Sequence, residues 1–164
     1  MDSKEFGLVA AQQLFHIEDI HYGFWEKDEV ATLNNFKEAQ KKHTKFLFQY
    51  IDNFIENKNQ SKILDIGCGV GVTIKKLLDK GYKVDGLVPY PWMAKYASNI
   101  TSKYKSQDKG RIYKCKIEDF PTKEINQKYQ LVFFSESFQY VNMKLTFNVL
   151  EKILKKHSTI IIFD

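Results

Sequence analysis

Cysteine is nearly absent from this chain, with two residues, Cys68 and Cys115, among 164. Both fall in stretches predicted to be buried and share no close spacing. Reduced thiols are therefore expected over a disulfide, and a cytoplasmic setting goes with them. No apolar run approaches about 18 residues, which leaves no membrane-spanning helix to expect. No secretory signal pattern opens the chain, and there are no internal repeats or low-complexity tracts. Lysines come in short solvated runs such as Lys41-Lys42 and Lys155-Lys156. No basic stripe interleaves with aromatics, so nucleic acid is not expected as a partner. His16, His21, His43 and His157 share no metal-ligand spacing, and no metal is expected. No Ser-His-Asp or Cys-His arrangement is legible.

What is present suffices for one globular domain with its own core. Hydrophobic residues make up 43% of the chain, 13 Phe and 9 Tyr among them, and the net charge is only +5. That charge permits an anionic partner without demanding one. Helical spacing of Phe6, Val9, Ala10 and Leu14 predicts a short helix over 3–16. His21-Tyr22-Gly23-Phe24-Trp25 is aromatic without a period and reads as a loop. A longer helix is expected at about 35–56, with Phe36, Ala39, Phe46, Leu47, Tyr50, Ile51, Phe54 and Ile55 as its apolar face. Asn34 or Asn35 is the expected cap.

Beyond residue 60 the pattern alternates. Strands are expected at Lys62–Ile66, Tyr82–Val88, Arg111–Ile117, Tyr129–Ser135 and Ser158–Phe163. Helices are expected at Val72–Lys80, Trp92–Tyr104 and Met143–Lys156. Most of the strands are continuous apolar runs, as in a parallel sheet covered on both faces. Right-handed crossovers then give an α/β, doubly wound, Rossmann-like sheet with its ligand site beyond the carboxyl ends of the strands.

Gly67, Gly69 and Gly71 follow the first strand and open a helix. Such a loop turns tightly, lets a ligand approach the backbone and presents amides at a helix N-terminus. The dinucleotide fingerprint needs glycine where Val72 stands, and the phosphate loop of nucleotide hydrolases needs Gly-Lys-Ser/Thr, which is missing. The stretch Ile63-Leu64-Asp65-Ile66-Gly67-Cys68-Gly69-Val70-Gly71 resembles the first motif of class I AdoMet-dependent methyltransferases. The resemblance covers about 60–164. His21-Tyr22-Gly23-Phe24-Trp25 and Glu38-Ala39-Gln40 extend it toward small-molecule and lipid methyltransferases, similar to the cyclopropane fatty acid synthase and tocopherol methyltransferase groups.

The resemblance implies a strand order 3-2-1-4-5, an N-terminal helical lid over 1–58 and an AdoMet-binding core over 59–164. It implies S-adenosyl-L-methionine (AdoMet) as cofactor, held by Tyr22, Asp65, Gly67, Cys68, Gly69, Gly71, Val88, Pro89, Met93, Ile117, Glu118 and Ser135. Asp65 would meet the cationic amino group. Trp25, Gln139 and Tyr140 would face the acceptor, and Glu136 is the candidate catalytic acid or base; Ser137 shares its loop. The implied activity is methyl transfer to a small-molecule or lipid-like acceptor. Three features depart from the family. Val88 stands where most members end the second strand with an acid, Lys116 where an Asp meets the adenine, and the chain ends at Asp164, before the family's final strands. They motivate a second expectation, a degenerate subunit binding a protein partner, or a copy of itself, through an exposed fifth-strand edge.

Overall fold

A computed structural model describes residues 3–17, 21–107, 109–123, 125 and 128–164. The chain divides into two compact units, Met1–Tyr50 and Ile51–Asp164. Helix α1 (Ser3–Phe15) and most of helix α2 (Leu33–Phe54) belong to the first. Thr32 starts α2: its Oγ1 accepts the Asn35 amide at 3.2 Å, so the cap lies upstream of the two asparagines expected to serve. The buried stripe of α2 runs Ala39, Gln40, His43, Thr44, Leu47, Phe48 and Ile51. Polar residues therefore fill part of the inner face, while Phe46, Tyr50 and Phe54, expected inside, are 39–49% exposed.

Gly23 makes the inner face possible. Its φ is +89°, and a Cβ there would stand 2.6 Å from the Ala39 carbonyl carbon and from the Gln40 nitrogen. The loop lies flat on α2, with the Phe24 amide donating to the Ala39 carbonyl at 2.9 Å and Gln40 Nε2 donating to the His21 carbonyl at 2.7 Å. Gly23→Ala meets both backbone strain and rigid overlap. It is expected to destabilise this unit by about 2–4 kcal/mol, read from denaturant unfolding; a loss below about 0.5 kcal/mol would show the contact to be looser.

His21 and His43 stack with ring centroids 4.2 Å apart. Burial, then the charge of His21, lowers the His43 pKa from 6.5 to about 4. The folded state therefore holds His43 neutral while the unfolded chain takes up its proton near pH 6.5. The stability this gives is complete above pH 6.5 and is lost as pH falls toward 4, by an amount of order 2 kcal/mol. Protection factors of α2 amides, which are exchange rates corrected for their intrinsic pH dependence, should fall over that window in the native chain and lose most of that dependence in His43→Phe.

The second unit carries a five-stranded sheet in the order β3-β2-β1-β4-β5. Its strands are β1 (Lys62–Ile66), β2 (Lys83–Leu87), β3 (Ile112–Tyr113), β4 (Tyr129–Ser135) and β5 (Leu154–Phe163). Every pairing is parallel. Helices α3 (Val72–Asp79), α4 (Pro91–Thr101) and α5 (Met143–Ile153) make the crossovers. Register places Leu64 beside Val132 and Ile66 beside Phe134. Those side chains share one face and pack with Val149, Leu150 and Ile153 of α5. Asp65 lies between them in sequence and so faces the other way.

Several elements differ from expectation; α5, for one, ends at Ile153, three residues early. β3 is two residues long, because Ile117–Asp119 folds as a 3-10 turn instead of extending the strand. α4 ends at Thr101, whose hydroxyl lies 2.9 Å from the Ala97 carbonyl and 3.0 Å from that of Gly110; a 3-10 segment follows. β5 begins at Leu154, four residues early, and carries an irregularity where His157 adopts φ 60°. β5 forms one edge of the sheet, and Ile162 on it is 46% exposed.

Beneath the sheet core lies a buried polar cluster. Lys62 Nζ sits 2.9 Å from Asp85 Oδ2, with side chains 6% and 0% exposed. The Tyr129 hydroxyl donates to the same carboxylate at 2.9 Å and the Arg111 amide at 3.1 Å. Burial pushes the Asp85 pKa up, against the opposing pull of Lys62 and these donors.

Candidate functional site

In a parallel sheet all strands end at the same side, and here the order reverses between β1 and β4. A crevice at that switch point is where open α/β sheets bind ligands. The glycine loop begins there. Gly67 and Cys68 both donate their amides to the Leu87 carbonyl, at 2.8 and 3.1 Å, which ties the loop to the end of β2. The Gly71 amide donates to the Cys68 carbonyl at 2.9 Å, and the Lys75 amide to Gly71 at 2.9 Å starts α3.

The glycines serve packing as well as ligand approach. Gly67 has φ +86°, and a Cβ there would lie 2.4 Å from Ser137 Cβ. Gly71 has φ +84°, and its Cβ would lie 2.8 Å from that of Ala97 in α4. Gly86, within β2, is a residue that sequence reasoning missed. Its Cβ would stand 2.1 Å from Ile74 Cδ1 and 2.8 Å from Cys68 Sγ, so its bareness lets α3 and the loop close on the sheet. A lone glycine inside an apolar strand was the available signal.

Gly69, at φ +54°, and Val70 differ from these. Among the described residues neither amide has a hydrogen-bond partner. Two main-chain donors thus remain at the head of α3, suited to a carboxylate or another anionic group. Asp65, one residue before the end of β1, is 2% exposed and offers an acid for a cationic group.

The other expected residues sit on the neighbouring strand ends. Val88 is 2% exposed and its amide donates to the Tyr113 carbonyl at 3.0 Å; Pro89 is exposed and Met93, in the first turn of α4, is half-buried. Ile117 is buried. Glu118 Oε1 accepts the Asn142 amide at 2.7 Å, which fastens this turn to the start of α5. Lys116 is exposed. Cys68 and Cys115 are free thiols, and burial followed by the Asp119 charge pushes the Cys115 thiol up, away from reactivity.

After β4, Ser135 pairs with Phe163, and Glu136 takes φ 52°, a left-handed conformation that L side chains adopt at a cost. The Ser137 hydroxyl donates to the Ile66 carbonyl at 2.5 Å. Gln139 and Tyr140 are exposed, Tyr140 at 79%. Tyr22 and Trp25 belong to the other unit, where Trp25 Nε1 donates to the Tyr22 carbonyl at 2.9 Å.

A five-stranded parallel sheet in this order, with a glycine loop at the end of β1, defines a Rossmann-like methyltransferase fold. The chain belongs to the methyltransferase-domain family, which its residues 63–157 match. That family uses AdoMet as methyl donor. The chain is 30% identical over 109 residues to malonyl-[acyl-carrier protein] O-methyltransferase of Acetivibrio thermocellus, covering 65% of this chain and 35% of that protein. It is 27% identical over 135 residues to the chloroplastic tocopherol O-methyltransferase of Arabidopsis thaliana, covering 79% and 38%. Geranyl diphosphate C-methyltransferase from Streptomyces coelicolor, solved with S-adenosyl-L-homocysteine, shares the fold at TM-score 0.73 and 17% identity, over 94% of this chain and 58% of that one. The chain thus spans little more than a third of the length of these two curated relatives.

Proposed function

We propose that the chain binds AdoMet at the Gly67–Gly71 loop and transfers its methyl group to a small-molecule acceptor with an apolar part. The observation that carries this reading is the pair of unpartnered amides at Gly69 and Val70, at the end of the central strand and within the family-matched residues. AdoMet fits this donor set, because its amino-acid end brings both a carboxylate for the amides and an ammonium for Asp65.

In this reading Gly67, Cys68, Gly69 and Gly71 give the loop its shape, while Val88, Pro89, Met93, Ile117, Glu118 and Ser135 hold the rest of the cofactor. The Val88 side chain offers no acceptor to a ribose hydroxyl, which forgoes about 1.5–3 kcal/mol of a charged hydrogen bond. When bound, AdoMet supplies a methyl group already activated by its sulfonium. The chain then has to position the acceptor, which can supply much of the rate of such a transfer. Gln139 and Tyr140 would face the acceptor, and the Glu136 carboxylate would take its proton where the acceptor must lose one. The exposed Tyr140 and the names of the relatives, which act on tocopherol, malonyl-acyl carrier protein and geranyl diphosphate, favour an apolar or partly apolar acceptor.

Calorimetric titration tests the reading. AdoMet and S-adenosyl-L-homocysteine are expected to bind saturably, and at 100 times Kd to raise folding stability by about 2.7 kcal/mol. A folded chain that takes up neither at millimolar concentration would end this proposal.

A further inference from the structure

Asp164 follows β5, yet it reaches the loop after β4. Its Oδ1 accepts the Ser137 amide at 2.7 Å and lies 3.3 Å from the Phe138 amide; Oδ2 accepts the Gln139 amide at 3.0 Å. The Phe163 carbonyl accepts the Glu136 amide at 2.8 Å. Four consecutive amides are thus held from the end of β5, three by one carboxylate, and carboxylate–amide bonds are stronger than neutral ones. Ser137 then reaches the other way. Its hydroxyl holds the Ile66 carbonyl at 2.5 Å, and its Cβ fills the place where a Gly67 side chain would stand. Ser137 is 9% exposed, so water competes little for these contacts.

We propose that Asp164 is a positioning residue for the glycine loop: it fixes Ser137, and Ser137 fixes the turn at Ile66–Gly67 from the side opposite Leu87. The clamp spans three strands, from β5 over β4 to β1. Its mechanical part stands on these contacts alone. Its consequence for cofactor affinity rests on the reading of Gly67–Gly71 as the AdoMet loop.

The test compares Asp164→Ala, Asp164→Asn and Ser137→Ala in the whole chain. Without ligand, Asp164→Ala is expected to speed amide exchange about tenfold or more at Ser137–Gln139, and also at Gly67 and Cys68. S-adenosyl-L-homocysteine affinity should fall about tenfold, with Asp164→Asn, which keeps one acceptor oxygen, in between. Because Asp164 and Ser137 act in series, the double variant should lose less affinity than the product of the two single losses. A purely structural role would lower the melting temperature without this coupling. Exchange that changes only at Ser137–Gln139, or losses that multiply, would overturn the clamp. If the native chain takes up no S-adenosyl-L-homocysteine, the cofactor reading fails on its own, and exchange at Gly67 and Cys68 still decides the clamp. Should Asp164→Ala not fold, Asp164→Asn gives the same comparison.

Discussion

Lys62→Ala is expected to lower folding stability by about 3–5 kcal/mol, a large share of what a domain of this size possesses. The reason is the Asp85 carboxylate, wholly buried and 2.9 Å from the lysine Nζ. Removing the ammonium leaves Tyr129 and the Arg111 amide to hold the carboxylate alone, in surroundings that already push its pKa up. The pair itself need not be stabilising, because burying two charges costs about as much as their attraction returns. Lys62→Met combined with Asp85→Leu removes the unpaired charge and is accordingly expected to cost less than Lys62→Ala, about 1–3 kcal/mol, because it takes the acceptor from the Tyr129 hydroxyl and the Arg111 amide. Urea unfolding of the single and double variants separates the two effects. A single variant as stable as the native chain would mean that water enters beneath the sheet.

The second large effect is expected at Gly67. An alanine there must hold φ +86° and place its Cβ 2.4 Å from that of Ser137. The backbone strain is of order 1–2 kcal/mol, and the overlap has to be relieved by moving Ser137 off the Ile66 carbonyl. S-adenosyl-L-homocysteine affinity should fall by about 100-fold or more, equivalent to roughly 2.7 kcal/mol, with the sheet intact by circular dichroism. Adding Ser137→Gly removes the overlap and leaves the backbone strain. That double variant should recover part of the affinity; no recovery would place the effect in the backbone strain together with the lost hold of Ser137 on Ile66.

These two sites differ in how much of them the sequence shows. The bounds of β1 and β4 match expectation residue for residue, because each is an apolar run closed by residues that cannot continue it. The strand order also follows from the family likeness and from short crossovers. β3 and β5 are edge strands, held by one neighbour only, and their lengths depend on pairing that no local pattern encodes. The glycine loop is legible from its spacing alone. What the spacing does not show is that Gly67 is demanded by Ser137, seventy residues away in the chain. The hold of Asp164 on Ser137, Phe138 and Gln139 is equally invisible, because a lone acid after a strand has no period and no local partner. The same holds inside α2, where Gln40, His43 and Thr44 take the inner face and Phe46 and Tyr50 the outer one. Hydrophobicity orders those residues the other way, and part of the reversal comes from the 21–25 loop, which Gly23 lets lie against Ala39 and Gln40.

β1 lies at the centre of the sheet, between β2 and β4. On the ribosome β1 is completed some sixty residues before β4 is made, a delay of about 3–12 seconds at ordinary rates of synthesis. Throughout that interval Ile63, Leu64 and Ile66 have at most one of their two flanking strands to lean on, and none until β2 is made. Slow pairing of the central strand is therefore expected from the order in which the strands are made rather than from any weakness of the finished core.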